Sequence, residues 1–383
     1  MVVQQTLRPY VTAGIAIVGS GLIAATPVVT TPLAGGPTIR DVALTAGGLP
    51  DLLAPWTAVF NTASENATIL TQNYFLAPGV AFQQIMANQS QFWQSVLDNP
   101  STIPAVVQQI QSNLDAVMTG YTLQNASADT SATVTYHTLS GSDPNTYAFG
   151  HDLLFGLLPG FLPPDLAEGA TPIINFLASP LSAIIMGSIG PWFSPWVAMM
   201  NSIQDGDSFP QIMASWTDGL LNGSKLDLGF LLPLIANSGL LPAGTNITHL
   251  DFALGGLLST GTVAVGPYQV TDQAGDLVNI HAVGGSIFNG LGISLETGLL
   301  PGTPLDIESY GVGPIAAMEA WGQTVGALLG SGWDGKGPVE VYPPWPGISF
   351  PTIPDNLFDD GGAGAGAATD VFAELAGLFG VDA

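Results

Sequence analysis

Cysteine is absent from this 383-residue chain. That excludes disulfide staples, thiolate metal centres and cysteine nucleophiles. Basic residues are almost absent too. Arg8, Arg40, Lys225 and Lys336 are the only four, against 29 Asp and Glu, giving a formal net charge of −25. Binding of nucleic acid requires clustered Lys and Arg to neutralise phosphates, so that partner is excluded. Four cations also cannot pair twenty-nine anions. The carboxylates must be solvated, weakly bound by inorganic cations, or ranged along a surface that attracts cations. Charge of either sign is scarce at 9% of residues, where a typical soluble domain carries about 25%.

Recognisable catalytic constellations are missing as well. His137, His151, His249 and His281 are scattered, with no i,i+4 pair of the kind that grips zinc from one helix face. Ser286, in Gly284-Gly285-Ser286-Ile287, lacks the Gly-x-Ser-x-Gly pattern of a nucleophile turn, and His281 lies five residues upstream on an expected strand. His151-Asp152 and His249-Leu250-Asp251 each read as a local hydrogen bond. Asp205-Gly206-Asp207 and Asp359-Asp360-Gly361 offer oxygen ligands without the twelve-residue spacing of a calcium loop. Gly335-Lys336-Gly337 runs into Pro338, so it does not form a phosphate loop. The expectation is a protein that is not an enzyme, with no catalytic, cofactor-binding or metal-binding residue and no cofactor.

What the chain does have is apolar material, 47% of residues, enough for a sizeable core. Residues 1–25 read as a signal peptide: Arg8 in the n-region, an apolar run over Val11–Ile23, and Ala25 at the cleavage point. Residues 26–50 form a Pro/Gly/Thr linker. Residues 51–240 are expected to be mainly helical. Helical spacing relates Leu52, Leu53, Trp56, Val59 and Phe60, and again Phe82, Ile85, Met86 and Trp93. Pro78, Pro100 and Pro104 mark breaks and restarts. Pro104 opens a helix with Val106, Val107, Ile110, Leu114 and Val117 on one face and Gln108, Gln109, Gln111 and Asn113 on the other.

The polar segment 124–150 is expected to be a loop or hairpin around Thr133–Thr138. The stretch 169–204 holds no charge at all and is interrupted by Pro172, Pro180, Pro191 and Pro195. Its longest proline-free piece, Leu181–Gly190, is too short to span a bilayer as a helix, so a buried core and a membrane-inserted segment remain alternatives. Residues 241–340 are expected to hold a small β-sheet and a helix. The strand-like runs are Gly261–Val265, Tyr268–Thr271, Leu277–His281 and Gly292–Leu295, with a hairpin tip at Gln273-Ala274-Gly275 and the helix starting at Pro314. Residues 341–383 are a Pro-rich extended segment and a Gly/Ala tail. The fold class is therefore α+β: a helical N-terminal half, a small antiparallel sheet in the C-terminal half and a low-complexity end.

Several blocks carry a resemblance. They are Leu7-Arg8-Pro9-Tyr10-Val11-Thr12-Ala13-Gly14, Val59-Phe60-Asn61-Thr62-Ala63, the apolar block Pro180–Asn201, Val283-Gly284-Gly285-Ser286-Ile287-Phe288-Asn289, and Gly311–Trp321 followed by Trp333-Asp334-Gly335-Lys336. Over most of residues 1–340 the chain resembles exported mycobacterial envelope proteins of the family labelled outer-membrane porin GjpA. Its tail is loosely similar in composition to PE-PGRS sequences. The resemblance implies an exported protein of the cell envelope or outer membrane that passes small solutes, and it supplies no site residue. The acidic charge adds a preference for cations. Envelope lipids and further copies of the chain are the implied partners. The alternative is a secreted or surface-attached interaction or structural protein. Only about 50 residues look strand-like, far short of a transmembrane barrel.

Overall fold

The computed structural model describes residues 50–331, except 142–149, 163, 239–240, 242–243, 265–267, 272–276 and 297–303. The expected signal peptide, nearly all of the linker, the hairpin tip Gln273–Gly275 and the tail 341–383 lie outside the described residues.

Three long helices come first: α1 (Pro50–Leu76), α2 (Val80–Asp98) and α3 (Ile103–Thr122). The breaks fall at the predicted prolines. Gly79, at φ 62°, turns the chain through the left-handed region after Pro78. Asn99 accepts the Ser101 amide through its side chain ahead of Pro100, and Pro104 sits in the first turn of α3.

The expected loop or hairpin at Thr133–Thr138 is instead a helix, α4 (Ala128–Thr138). Ser127 caps it by accepting the Thr130 amide at 3.1 Å. Most of its β-branched residues face inward: Thr130, Val134, Thr135 and Thr138 are all buried. The Thr133 and Thr138 hydroxyls donate to the carbonyls of Asp129 and Val134 one turn back. Tertiary burial overrides a weak local preference here.

Helices α5 (His151–Phe161) and α6 (Pro164–Leu177) lead into α7 (Pro180–Gln204) and α8 (Phe209–Asn222). The prolines of the apolar stretch do not divide it as expected. Pro180 occupies the first turn of α7, and the helix runs unbroken through Pro191 and Pro195 for 25 residues. Each interior proline removes a backbone bond, at a cost of about 3 kcal/mol. Both lie on the buried side of α7, where packing against α8, α10 (Pro314–Leu328) and the sheet offsets that loss.

Four antiparallel strands form the main sheet: β1 (Ser224–Asp227), β2 (Asn246–Leu254), β5 (Leu291–Glu296) and β6 (Leu305–Ile307), in the order β1-β2-β5-β6. A short helix, α9 (Leu232–Ala236), connects β1 to β2. The pair β3 (Tyr268–Thr271) and β4 (Leu277–Ile280) is the predicted hairpin. Two corrections apply. β1 lies inside the segment expected to be helical, and Gly261 makes only an isolated bridge to Gly284 rather than starting a strand.

The core has two main parts. One lies between the sheet and α4–α6, around Val134, Leu139, Leu154, Ile174 and Phe288. The other joins α1, α7 and α10 through Leu70, Met186, Val312 and Ala317.

Candidate functional site: an outward apolar helix face

Ser179 caps α7 by accepting the Ser182 amide at 3.2 Å. From there the inner side of the helix is built of small residues, because other backbone comes very close. A Cβ on Gly187 would lie 2.9 Å from the Gly313 carbonyl, and one on Gly190 would lie 2.4 Å from the Gly255 oxygen. Ser194 is fully buried, and on α8 a Cβ at Gly219 would stand 2.7 Å from the Ser194 oxygen. Apart from Met186, which fills the core beside α1 and α10, the inner side has little room for bulk.

The bulk points outward instead. Ile185, Ile189, Trp192, Trp196, Met200 and Ile203 recur at helical spacing on a single stripe, with Phe193 at its edge. Trp192 is 76% exposed and Phe193 59%. An ordinary surface helix shows the reverse polarity, with large apolar residues inward and charge outward.

The stripe continues onto α8. Phe209, Met213 and Trp216 fall on one face of that helix, and the Trp216 ring meets Trp196 edge-on at 6.5 Å between centroids. Phe209 is 74% exposed. With rings that bury about 150–250 Å² each, the exposed aromatic area alone is on the order of 500 Å². That places the face toward the upper end of the roughly 300–600 Å² of the largest patch on a typical monomer. At about 1.5 Å per residue α7 is some 37 Å long, and it is the one helix among the described residues long and apolar enough to cross a membrane.

The turn between the two helices contains Asp205-Gly206-Asp207. Gly206 takes a left-handed φ of 79°, and Ser202 donates to the Asp207 carboxylate at 2.6 Å. Those roles close the hairpin. Among the described residues no group of three or more His, Asp or Glu side chains converges on a point that could hold a metal; Asp359 and Asp360 lie outside them.

The serine and histidine candidates are placed apart. Ser286 is fully buried and its Oγ accepts the Asn289 amide at 3.1 Å, as a turn cap does. His281 is exposed just past the end of β4, and its carbonyl accepts from Asn73. His249 Nε2 lies 3.2 Å from the Asp251 carboxylate, the expected local contact, whereas Asp152 is exposed beside His151 without bonding it. His137 is buried and bonds the Thr133 carbonyl.

Sequence reading did not find the pair formed by Ser140 and His151. Ser140 Oγ donates to His151 Nδ1 at 2.7 Å, and Nε2–H donates to the Leu291 carbonyl at 2.6 Å. Burial holds this imidazole neutral, down to a pKa of about 4. Both residues are buried, and among the described residues the ring's partners are the Ser140 hydroxyl and the Leu291 carbonyl, so the pair ties α5 to β5.

Two polar features lie along α1. A groove of about 460 Å³ is lined by Asn61, Ser64, Glu65, Gln72, Asn279 and His281, and is open to solvent. It can offer hydrogen bonds to a solute. Behind it, Gln323 Nε2 donates to Asn73 Oδ1 at 2.7 Å, and Asn73 donates to the His281 carbonyl at 2.9 Å. One turn before Gln323 sits Glu319, near Tyr74. Its Oε1 is buried without a hydrogen-bond partner, and burial pushes the carboxyl up to about 9. It is protonated at neutral pH.

Most other carboxylates are exposed, including Glu65, Asp98, Asp115, Asp129, Glu168, Asp205, Asp306 and Glu308. Lys225 pairs with Glu308 at 3.3 Å on the surface, a contact worth little. No family model, no curated protein and no solved structure matches the chain.

Proposed function

We propose that this chain is an exported protein of the cell envelope that works as a channel component, passing small solutes with a preference for cations. The observation that carries this reading is the inverted polarity of α7: most of its large apolar side chains face outward, while exposed carboxylates are scattered over the rest of the surface with one described lysine among them. Outward Trp, Phe and Ile side chains suit a lipid boundary. A surface of unpaired carboxylates concentrates cations and repels anions.

The strands described run from three to nine residues and form an open four-stranded sheet and a hairpin. A lumen would therefore lie between copies of the chain, each offering one apolar helix to lipid and acidic surfaces to solute.

A second reading, a surface-attached protein without conductance, is favoured by the other side of α7, which is fully occupied by α8, α10 and the sheet. Conductance across a planar bilayer under a potassium chloride gradient separates the two. Reproducible steps with a cation-selective reversal potential support the channel. Silence from folded, membrane-bound protein leaves the surface-attached reading.

A further inference from the structure

We infer that the stripe on α7 and α8 is a docking face for the acyl layer of an electrically neutral lipid surface, which meets only the outer side of α7. The inference rests on the envelope setting of the proposed function but does not need conductance.

Four observations select this occupant. Its α7 part is uncharged: from Gly169 to Gln204 there is no Asp, Glu, Lys or Arg. It is aromatic where it is most exposed, at Trp192, Phe193, Trp196 and Phe209, and Trp settles at the boundary between headgroups and acyl chains. Only one stripe of α7 is available, because Gly187, Gly190 and Ser194 hold the opposite side against backbone. A helix so fixed can offer only its outer side to lipid. Finally, the turn that ends the hairpin carries exposed Asp205, and Lys225 is the only lysine or arginine among the described residues.

Charge then selects among lipid surfaces. An interfacial helix normally gains affinity from Lys and Arg against anionic headgroups. This protein has the opposite sign, so anionic lipid repels it. Binding should therefore be driven by apolar burial, weaken as anionic lipid is added, and strengthen with salt when such lipid is present.

The test uses the full chain and flotation with phosphatidylcholine vesicles, with and without phosphatidylglycerol. The expected result is binding to phosphatidylcholine, reduced by phosphatidylglycerol. The double substitution Trp192→Ser/Phe193→Ser should weaken it at least about tenfold, since each ring loses a large apolar transfer term. Both side chains are largely exposed, so circular dichroism should be unchanged, and Gln108→Ser/Gln111→Ser on the amide face of α3 should bind as the parent does. Preference for anionic vesicles, binding indifferent to the double substitution, or a salt-stable dimer abolished by it without vesicle binding would each overturn the inference. Vesicle binding without current removes only the channel. Current from a protein whose vesicle binding ignores the face removes only this inference.

Discussion

Glu319 allows a quantitative test of the packing around α10. Its carboxyl is buried beside Tyr74, with Oε1 lacking a partner, and its pKa rises from 4.5 to about 9. The folded protein thus holds a proton that the unfolded chain releases above pH 4.5. Stability from this group is fully present below 4.5 and is lost as pH rises toward 9. One pH unit corresponds to about 1.4 kcal/mol, so at pH 7 the loss is about 3 kcal/mol, and it grows toward pH 8.5. Glu319→Gln keeps the shape and removes the titration. Urea unfolding followed by tryptophan fluorescence should give similar stabilities for the two proteins near pH 4.5. At pH 7 the variant should be more stable by about 3 kcal/mol. Acidic self-repulsion acts on both proteins, so their difference isolates this one carboxyl. A difference that stays constant from pH 4.5 to 8.5 would refute the burial argument.

Other expectations follow from neighbouring geometry. His151 is held neutral, with its pKa lowered to about 4 from 6.5; its contribution is present above 6.5 and lost as pH falls toward 4, by up to about 3 kcal/mol, measurable as a flatter acid limb in His151→Gln. Asn289 accepts the Ser140 amide at 2.6 Å and donates to the Thr262 carbonyl at 2.8 Å while fully buried. Asn289→Ala strands both backbone groups and should cost about 2–5 kcal/mol in chemical denaturation. Gly190→Ala drives a methyl to within 2.4 Å of the Gly255 oxygen and should destabilise by about 1–3 kcal/mol. Gly169→Ala on α6, with open space around it, should stabilise by up to about 1 kcal/mol; a thermal melt of the two glycine variants should move in opposite directions.

The helices of the N-terminal half were legible because proline and glycine punctuate a 3.6-residue apolar period, as at Pro78-Gly79 and Pro104. The hairpin of β3 and β4 and the helix from Pro314 were legible for the same kind of reason. The central strand β2 was not singled out, because His249 and Asp251 interrupt its apolar alternation. The register explains how Asp251 is accommodated: it faces Gly292 across the sheet, where the missing side chain leaves room for a carboxylate. Helix α4 was hidden by β-branched threonines whose burial depends on distant packing.

For the candidate site, the apolar content of 169–204 was visible but its polarity was not. The prolines at 191 and 195 suggested interruption, and only the contacts of Gly187 and Gly190 reveal which side of α7 is inner. One signal was available: small residues at Ala183, Gly187, Gly190 and Ser194 each stand two positions before Ile185, Ile189, Trp192 and Trp196, which puts the two sets on opposite sides of a helix. Partners brought together by tertiary structure, such as Ser140 with His151 and Asn73 with Gln323, leave no such trace in the sequence.

The most direct test of the central claim uses the absence of cysteine, which permits a single reporter at any chosen position. Trp192→Cys on the outer stripe and Gln111→Cys on the amide face of α3 would each carry a polarity-sensitive fluorophore on the full chain. On addition of phosphatidylcholine vesicles, the label at position 192 should shift to the blue as it enters acyl chains, while the label at 111 keeps its aqueous spectrum. Equal responses at both positions, or none at 192 under conditions where the protein floats with the vesicles, would contradict the claim that the outer face of α7 meets lipid.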